Sequence, residues 1–164
     1  MELWDAYDPQ MKKIEGMALV RGEPIPEGLF HLVCDVLVQH TDGSILLMQR
    51  DPRKHFGGMW EATAGGSALA GENPPEAALR ELQEETGIRA RQLTEVGRET
   101  SPDTHYVEFL CTTDCDKAAV TLQEGETVAF RWVTKTELLS MKKEELVTKR
   151  MQKYLTWCEQ NDLI

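Results

Sequence analysis

The sequence predicts an α/β fold in which helices pack on a mixed β-sheet. Three features carry that expectation. Two apolar runs, Phe30–Gln39 and Ile45–Gln49, flank the turn residues Thr41-Asp42-Gly43-Ser44. Asn73-Pro74-Pro75-Glu76 opens a helical stretch that Gly87 closes. A second helical pattern follows over Glu144–Glu159.

Taken in order, Leu3–Tyr7 and Ile14–Val20 read as short strands, the first ending at Asp8-Pro9. Arg21–Gly28 holds two prolines and two glycines and reads as a loop. Phe30–Gln39 carries Leu32, Val33, Val36, Leu37 and Val38, the near-continuous apolar run of a strand buried on both faces. With Ile45–Gln49 it predicts a hairpin. Asp51–Met59 is a polar loop, Trp60–Ala64 a short strand ended by Gly65-Gly66, and Ser67–Glu72 a loop.

Asn73 is a favoured N-cap, proline suits the first turn, and Glu76 completes a capping box. The helix runs to about Thr86, and Gly87 stops it in a left-handed conformation. Leu93–Glu99, His105–Thr112 and Thr127–Val133 read as strands, and Glu137–Met141 as a short helix. In Glu144–Glu159, the residues Val147, Met151, Tyr154, Leu155 and Cys158 recur at helical spacing and form a stripe for core packing.

At 164 residues the chain predicts a single domain over 1–164, with a strand-and-loop extension over about 1–28. Its formal net charge of −10 argues against duplex nucleic acid or an anionic membrane as partner, since either favours a basic face. It also poses a question: an acidic protein repels an anionic substrate unless cations intervene. The cysteines Cys34, Cys111, Cys115 and Cys158 lack zinc-site spacing and read as buried free thiols. No apolar run approaches the ~18 residues of a membrane span. Met1–Gln10 is acidic and mixed, unlike a signal peptide, so a cytoplasmic location is expected. A homodimer is the default assembly.

The chemistry lies on the helix near residue 80, in Arg80-Glu81-Leu82-Gln83-Glu84-Glu85. With Glu81 at zero, Glu84 falls at about 300° and Glu85 at about 40°, so three carboxylates share an arc of about 100°. Ala77 and Ala78 lie on the same arc and leave room above the helix, while Leu79 and Leu82 point to the core. Like charges at these spacings each cost roughly 0.2–0.5 kcal/mol. Arg80 offsets part of that by pairing with Glu84 or Glu76. Bound Mg²⁺ would reverse the sign of the cluster, and hard oxygen ligands suit Mg²⁺ or Mn²⁺ rather than zinc or copper. The bland alternative for such a face is plain solvation.

The surrounding spacing decides against the bland alternative. Gly66, Glu72, Arg80-Glu81-Leu82, Glu84-Glu85 and Gly87-Ile88 form the run G-x5-E-x7-R-E-L-x-E-E-x-G-I. This run resembles the Nudix box in every fixed position, nine specified residues across Gly66–Ile88. The resemblance implies an α/β/α sandwich with a mixed central β-sheet, in which the box forms a loop, a helix and a loop. It also implies a Mg²⁺-dependent hydrolase, with Mn²⁺ as a substitute. Such an enzyme cleaves the diphosphate bond of a nucleoside diphosphate-linked or related small molecule by water attack at phosphorus.

Carried over residue by residue, Glu81, Glu84 and Glu85 are metal ligands, with the Gly65 carbonyl as a further one. Arg80 orients and pairs, with Glu72 as its partner, and Gly66 and Gly87 serve the backbone. Glu81 is the first choice for general base. Glu124 and Glu126, just before the last strand, are candidates for an additional base or ligand, or else an acidic turn. Arg50 is a candidate phosphate contact or a surface arginine. Trp60 is a candidate base-stacking residue or a core or rim tryptophan.

The flanks, Leu3-Trp4-Asp5, Tyr7-Asp8, Arg21–Pro26 and Phe30-His31-Leu32, resemble the branch related to isopentenyl-diphosphate isomerase. Those isomerases use a cysteine in the segment before the box, and here that segment, Trp60–Gly66, has none. Hydrolysis is therefore expected. A prenyl-diphosphate isomerase and a non-catalytic ligand-sensing Nudix module are the alternatives.

Overall fold

The computed structural model describes residues 1–146 and 149–164, with side chains for all of these except 149–151. In order, the strands are β1 (Leu3–Tyr7), β2 (Lys13–Val20), β3 (His31–His40), β4 (Ile45–Arg50), β5 (Trp60–Glu61) and β6 (Thr63–Ser67). Helix α1 (Pro74–Thr86) follows, then β7 (Thr94–Thr100), β8 (Thr104–Thr113) and β9 (Thr127–Val133), and finally α2 (Lys135–Ser140) and α3 (Lys149–Gln160). β1 and β2 form an antiparallel ribbon. The other strands form one sheet, mixed because β3 runs parallel to β8 while its remaining pairings are antiparallel.

Alternation along the central strands explains the layers. On β3 and β4, Leu32, Cys34, Val36, Val38, Leu46 and Met48 pack with Ala77, Ala78 and Leu82 of α1. Leu37, Ile45 and Leu47 point the other way, into a second core with Leu138 of α2 and Tyr154, Leu155 and Cys158 of α3. A strand with helices on both faces needs apolar residues on both, which is why these runs lack polar alternation. The result is an α/β/α sandwich with a mixed central sheet. Leu82 is fully buried and anchors α1, a contribution of about 1.5–3 kcal/mol for a leucine.

Four local expectations change. The β3–β4 hairpin pairs at a single rung, Gln39 with Ile45, and then splays. Beyond that rung β3 takes β6 as partner and β4 takes β5 and β9, so the two long strands part and leave a gap between them. Gly65-Gly66 does not end a strand but lies within β6, opposite Asp35 and Cys34. These glycines serve close approach. A Cβ on Gly65 would sit 2.2 Å from the Cys34 carbonyl oxygen and 2.5 Å from Asp35 Oδ1, and one on Gly66 would sit 2.7 Å from Glu81 Oε1.

Ala77 and Ala78 leave no open space. They are fully buried against the sheet, where their small size lets α1 approach β3 and β6, and Leu79 is only half-buried. Glu144–Leu146 is not helical: Trp60 donates its N–H to the Glu145 carbonyl at 2.7 Å, and Leu146 bridges to Trp60 and is buried. Pairing with the sheet edge there outweighs helical periodicity. Val147 lies outside the described residues, as does the Met151 side chain. Tyr154, Leu155 and Cys158 are core, as the stripe implies.

The termini of α1 follow the sequence. Asn73 accepts the Glu76 N–H at 3.0 Å, and the Glu76 carboxylate accepts the Asn73 N–H at 2.9 Å. Gly87 closes the helix with φ 75°. Cys34, Cys111 and Cys158 are buried free thiols, whereas Cys115 is only half-buried.

Gly65→Ala is expected to destabilise the fold by about 1–3 kcal/mol, because the clash is with backbone that cannot rotate away. Urea unfolding measures this, and a midpoint equal to wild type would contradict the close approach.

Candidate active site

The site is built around Arg80, whose side chain is 22% exposed. Its Nε donates to Glu72 Oε1 at 2.7 Å, and Nη2 donates to Glu72 Oε2 at 3.0 Å, a bidentate clamp across eight residues. Nη2 also donates to the Ser67 carbonyl at 3.0 Å. Nη1 donates to Glu81 at 2.7 Å and to Glu84 at 3.3 Å. Glu72 in turn accepts the Leu69 N–H at 2.9 Å, which shapes the loop before α1. The expected Arg80–Glu72 and Arg80–Glu84 pairs are present, and Glu76 is used by the cap instead. These hydrogen bonds hold the Glu72 carboxyl below its ordinary range and keep the Arg80 guanidinium firmly protonated.

Where β3 and β4 part, a cleft of about 530 Å³ opens. Glu81, Glu84 and Glu85 enter it from α1, Asp35 from β3, Glu61 from β5, and Gly65 from β6. The Gly65 N–H faces Glu85 Oε2 at 3.3 Å. Burial raises the Glu85 carboxyl well above its ordinary pKa, and the nearby charges of Glu61, Glu81 and Asp35 raise it further. Burial also raises Glu81, against the opposing pull of Arg80, and raises Glu61 against that of Arg50. Such concentrated, partly desolvated negative charge is costly unless a cation shares the space.

Cations line the same cleft. Arg50 Nη1 contacts Glu61 at 2.5 Å, and its Nε donates to the His55 carbonyl at 2.8 Å, so it ties the Asp51–Met59 loop to the cleft. Lys54, from that loop, pairs with Glu126. Glu126 lines the cleft and Glu124, which is exposed, does not. Trp60 also lies elsewhere: it packs in the core on the α3 side, with Arg131 4.5 Å over its ring.

Sequence reasoning missed Asp35, Glu61 and Lys54. Asp35 had a legible signal, a lone charge inside the apolar run Leu32–Val38. Glu61 and Lys54 had none, because only the parting of β3 and β4 brings them in.

Among the described residues, no three acidic, histidine or cysteine side chains already close a ligand set. The expected set of Glu81, Glu84, Glu85 and the Gly65 carbonyl is therefore not pre-closed, and the cause is visible. Arg80 draws Glu81 and Glu84 toward itself, and Arg50 draws Glu61. The donor set nevertheless fits a hard divalent cation, since the acids and the Gly65 carbonyl offer oxygen and, among the described residues, no thiol or imidazole lines the cleft.

The pH dependence of stability follows from Glu85. An acid whose folded pKa lies above its ordinary 4.5 binds its proton more tightly when folded. Its contribution is then complete below that ordinary value and is lost as pH rises through the folded value. In the presence of a chelator, Glu85→Gln is expected to melt higher than wild type at about pH 8, with the gap closing toward about pH 4. Thermal melts across that range check this, and a gap independent of pH would contradict it.

The comparisons agree with this architecture. Residues 29–158 match the model of the NUDIX domain. An uncharacterized Nudix hydrolase of Listeria monocytogenes is 33% identical over 148 residues, spanning 87% of this chain and 85% of the relative. An uncharacterized Nudix hydrolase of Escherichia coli, YfcD, is 30% identical over 135 residues, spanning 81% and 74%. Among solved structures, a Deinococcus radiodurans protein superposes with a TM-score of 0.68 at 18% identity, over 85% of this chain and 87% of that one. The NUDIX domain of Shewanella oneidensis NrtR, crystallised with ADP ribose, gives a TM-score of 0.63 at 17% identity, over 94% and 93%. At these identities the structures speak for the fold alone. With the family match across most of the chain, the relatives of similar length and the intact box set on α1, the chain belongs to the Nudix hydrolase family, enzymes that act on diphosphate bonds.

Proposed function

We propose that the cleft hydrolyses a phosphoric anhydride in a small molecule by water attack at phosphorus, with a divalent cation held by Glu81, Glu84 and Glu85. One observation carries this reading: the carboxylates of a single helical turn share one cleft with Asp35, Glu61, Arg50 and Lys54. When bound, Mg²⁺ or Mn²⁺ supplies positive charge at the diphosphate oxygens and acidifies the attacking water. It also answers the question posed by the net charge of −10.

The chain's own residues take distinct parts. Gly65 offers its carbonyl as a further ligand. Its N–H faces Glu85, and in an extended strand a residue's C=O shares the side of its N–H. Glu81, half-buried and held by Arg80 at 2.7 Å beside Gly66, is the first candidate for general base. Arg80 restrains Glu81 and Glu84 until a cation competes for them. Arg50 and Lys54 are the phosphate contacts. Glu126, held by Lys54, is the second candidate base. Among the described residues no cysteine lines the cleft, which supports hydrolysis over isomerisation.

Glu84→Gln and Glu85→Gln are each expected to lower kcat by at least about 10²-fold with the fold intact, the size of effect that follows loss of charge at a reacting centre. The measurement is product formation from a panel of diphosphate compounds at saturating Mg²⁺, with products identified by mass. Full activity in either variant refutes the ligand assignment. EDTA is expected to abolish turnover and added Mg²⁺ to restore it; turnover that persists in EDTA refutes the metal requirement.

A further inference from the structure

The match to the family begins at residue 29, yet two residues before it, Glu2 and Arg21, line the cleft. They flank the open end of the β1–β2 ribbon, Glu2 just before β1 and Arg21 just after β2, and the ribbon is fastened to the box itself. The Ala70 N–H donates to the Leu3 carbonyl at 2.8 Å, and the Gly71 N–H donates to Asp5 Oδ2 at 2.8 Å. Trp4 stacks on His31 with ring centroids 4.4 Å apart and donates its indole N–H to Glu2 at 2.9 Å. Arg21 Nη1 then donates to Glu2 at 3.0 Å. The ribbon is thus a fixed wall of the cleft, and it presents a guanidinium at the rim.

The cleft wall is nearly all polar. Among the described residues that line it, Leu69 is the sole hydrophobic side chain and none is aromatic. A base or a hydrocarbon tail finds little to stack on, so selectivity falls to charge. Arg21, Arg50 and Lys54 converge on one cleft, close enough that Arg50 and Arg21 help burial depress the Lys54 ammonium.

We propose that Arg21 and Lys54 form an anion subsite for a terminal phosphate, and that the preferred substrates end in a free diphosphate, as diphosphate monoesters do. The proposal rests on the hydrolase reading above and adds the substrate class to it. A terminal phosphate carries roughly −1.5 to −2 at neutral pH, against about −1 for a phosphate esterified on both sides, so an added cation favours the terminal group. The arginine fork suits a phosphate with free oxygens. Glu2 holds the guanidinium at the rim, and the Glu2–Arg21 side chains are 33% and 66% exposed, so an incoming phosphate displaces a weak pair.

The test compares ADP, a diphosphate monoester, with ADP-ribose, a diester, at saturating Mg²⁺. Calorimetry with methylenediphosphonate reads binding without turnover. Wild type is expected to favour ADP in kcat/KM by about tenfold, the size of one charge-assisted hydrogen bond. Arg21→Ala is expected to raise KM for ADP by about tenfold with kcat nearly unchanged and to leave ADP-ribose unmoved. Arg21→Ala is also expected to weaken methylenediphosphonate, while Arg21→Lys restores part of that binding and Glu2→Gln tightens it.

Preference for ADP-ribose, equal losses on both substrates in Arg21→Ala, or no binding of methylenediphosphonate would each overturn the subsite. Turnover of ADP-ribose without any effect of Arg21 sinks the subsite and leaves the hydrolase standing. Arg21-dependent binding without turnover of either compound does the reverse.

Discussion

The guanidinium of Arg80 joins three pieces of chain that are otherwise separate: the loop before α1 through Glu72, the end of β6 through the Ser67 carbonyl, and the face of α1 through Glu81 and Glu84. Side-chain placement in the cleft depends on this one group. It holds the box loop against the sheet, so that Gly65 and Gly66 meet the helix. It also neutralises part of a carboxylate cluster that would otherwise repel itself across one helical turn. Lysine, a point charge without the planar fork, has no geometry for the same set of contacts.

The second constraint is backbone proximity. α1 lies close to β3 and β6 because Ala77, Ala78, Gly65 and Gly66 occupy the contact; a side chain at Gly65 would meet a carbonyl and one at Gly66 a carboxylate. The splay of β3 from β4 complements this. By giving its edge to β6, β3 leaves a gap into which β5 delivers Glu61 and the end of β4 delivers Arg50. Packing that makes the core and packing that makes the cleft are therefore the same event. A helix held less closely would lose the carboxylate–glycine contact before it lost its hydrophobic face.

Electrostatics then gives the cleft both signs of charge. The carboxylates of α1, Asp35 and Glu61 concentrate negative charge where burial raises the cost of ionisation. Arg50 and Lys54 line the same cleft, each bound to an acid, Glu61 or Glu126, that keeps it in place. A cleft with both signs suits a ligand and cation that together present both signs. An acidic protein can in this way take an anionic substrate, because the sign that matters is local.

Much of this was legible in residue order. The capping box at Asn73 and the left-handed Gly87 delimit α1 through local chemistry, so its bounds, Pro74–Thr86, follow directly. The apolar runs of β3 and β4 announce strands buried on both faces. The spacing from Gly66 to Ile88 announces the family and places the helix carboxylates on one arc, because helical geometry depends on sequence separation alone. The resemblance implies an Arg80–Glu72 pair, and Arg80 donates to Glu72 at 2.7 and 3.0 Å.

Tertiary structure decided what depends on partners distant in sequence. Whether Gly65-Gly66 ends a strand or lies within one depends on β3 lying alongside. Whether Glu144–Leu146 is helical depends on Trp60 offering an edge. Which acids and bases reach the cleft depends on strands parting after a single rung: Glu126 enters and Glu124, two residues earlier, does not. The sequence by itself determined most of the elements and the helix face that bears the carboxylates, since these follow from local periodicity and capping, whereas the layers were implied by the resemblance to the family. The rest of the cleft lining, with Asp35, Glu61, Lys54 and Arg21 beside the ribbon, was decided only by the fold, because non-local pairing leaves no fixed spacing to read.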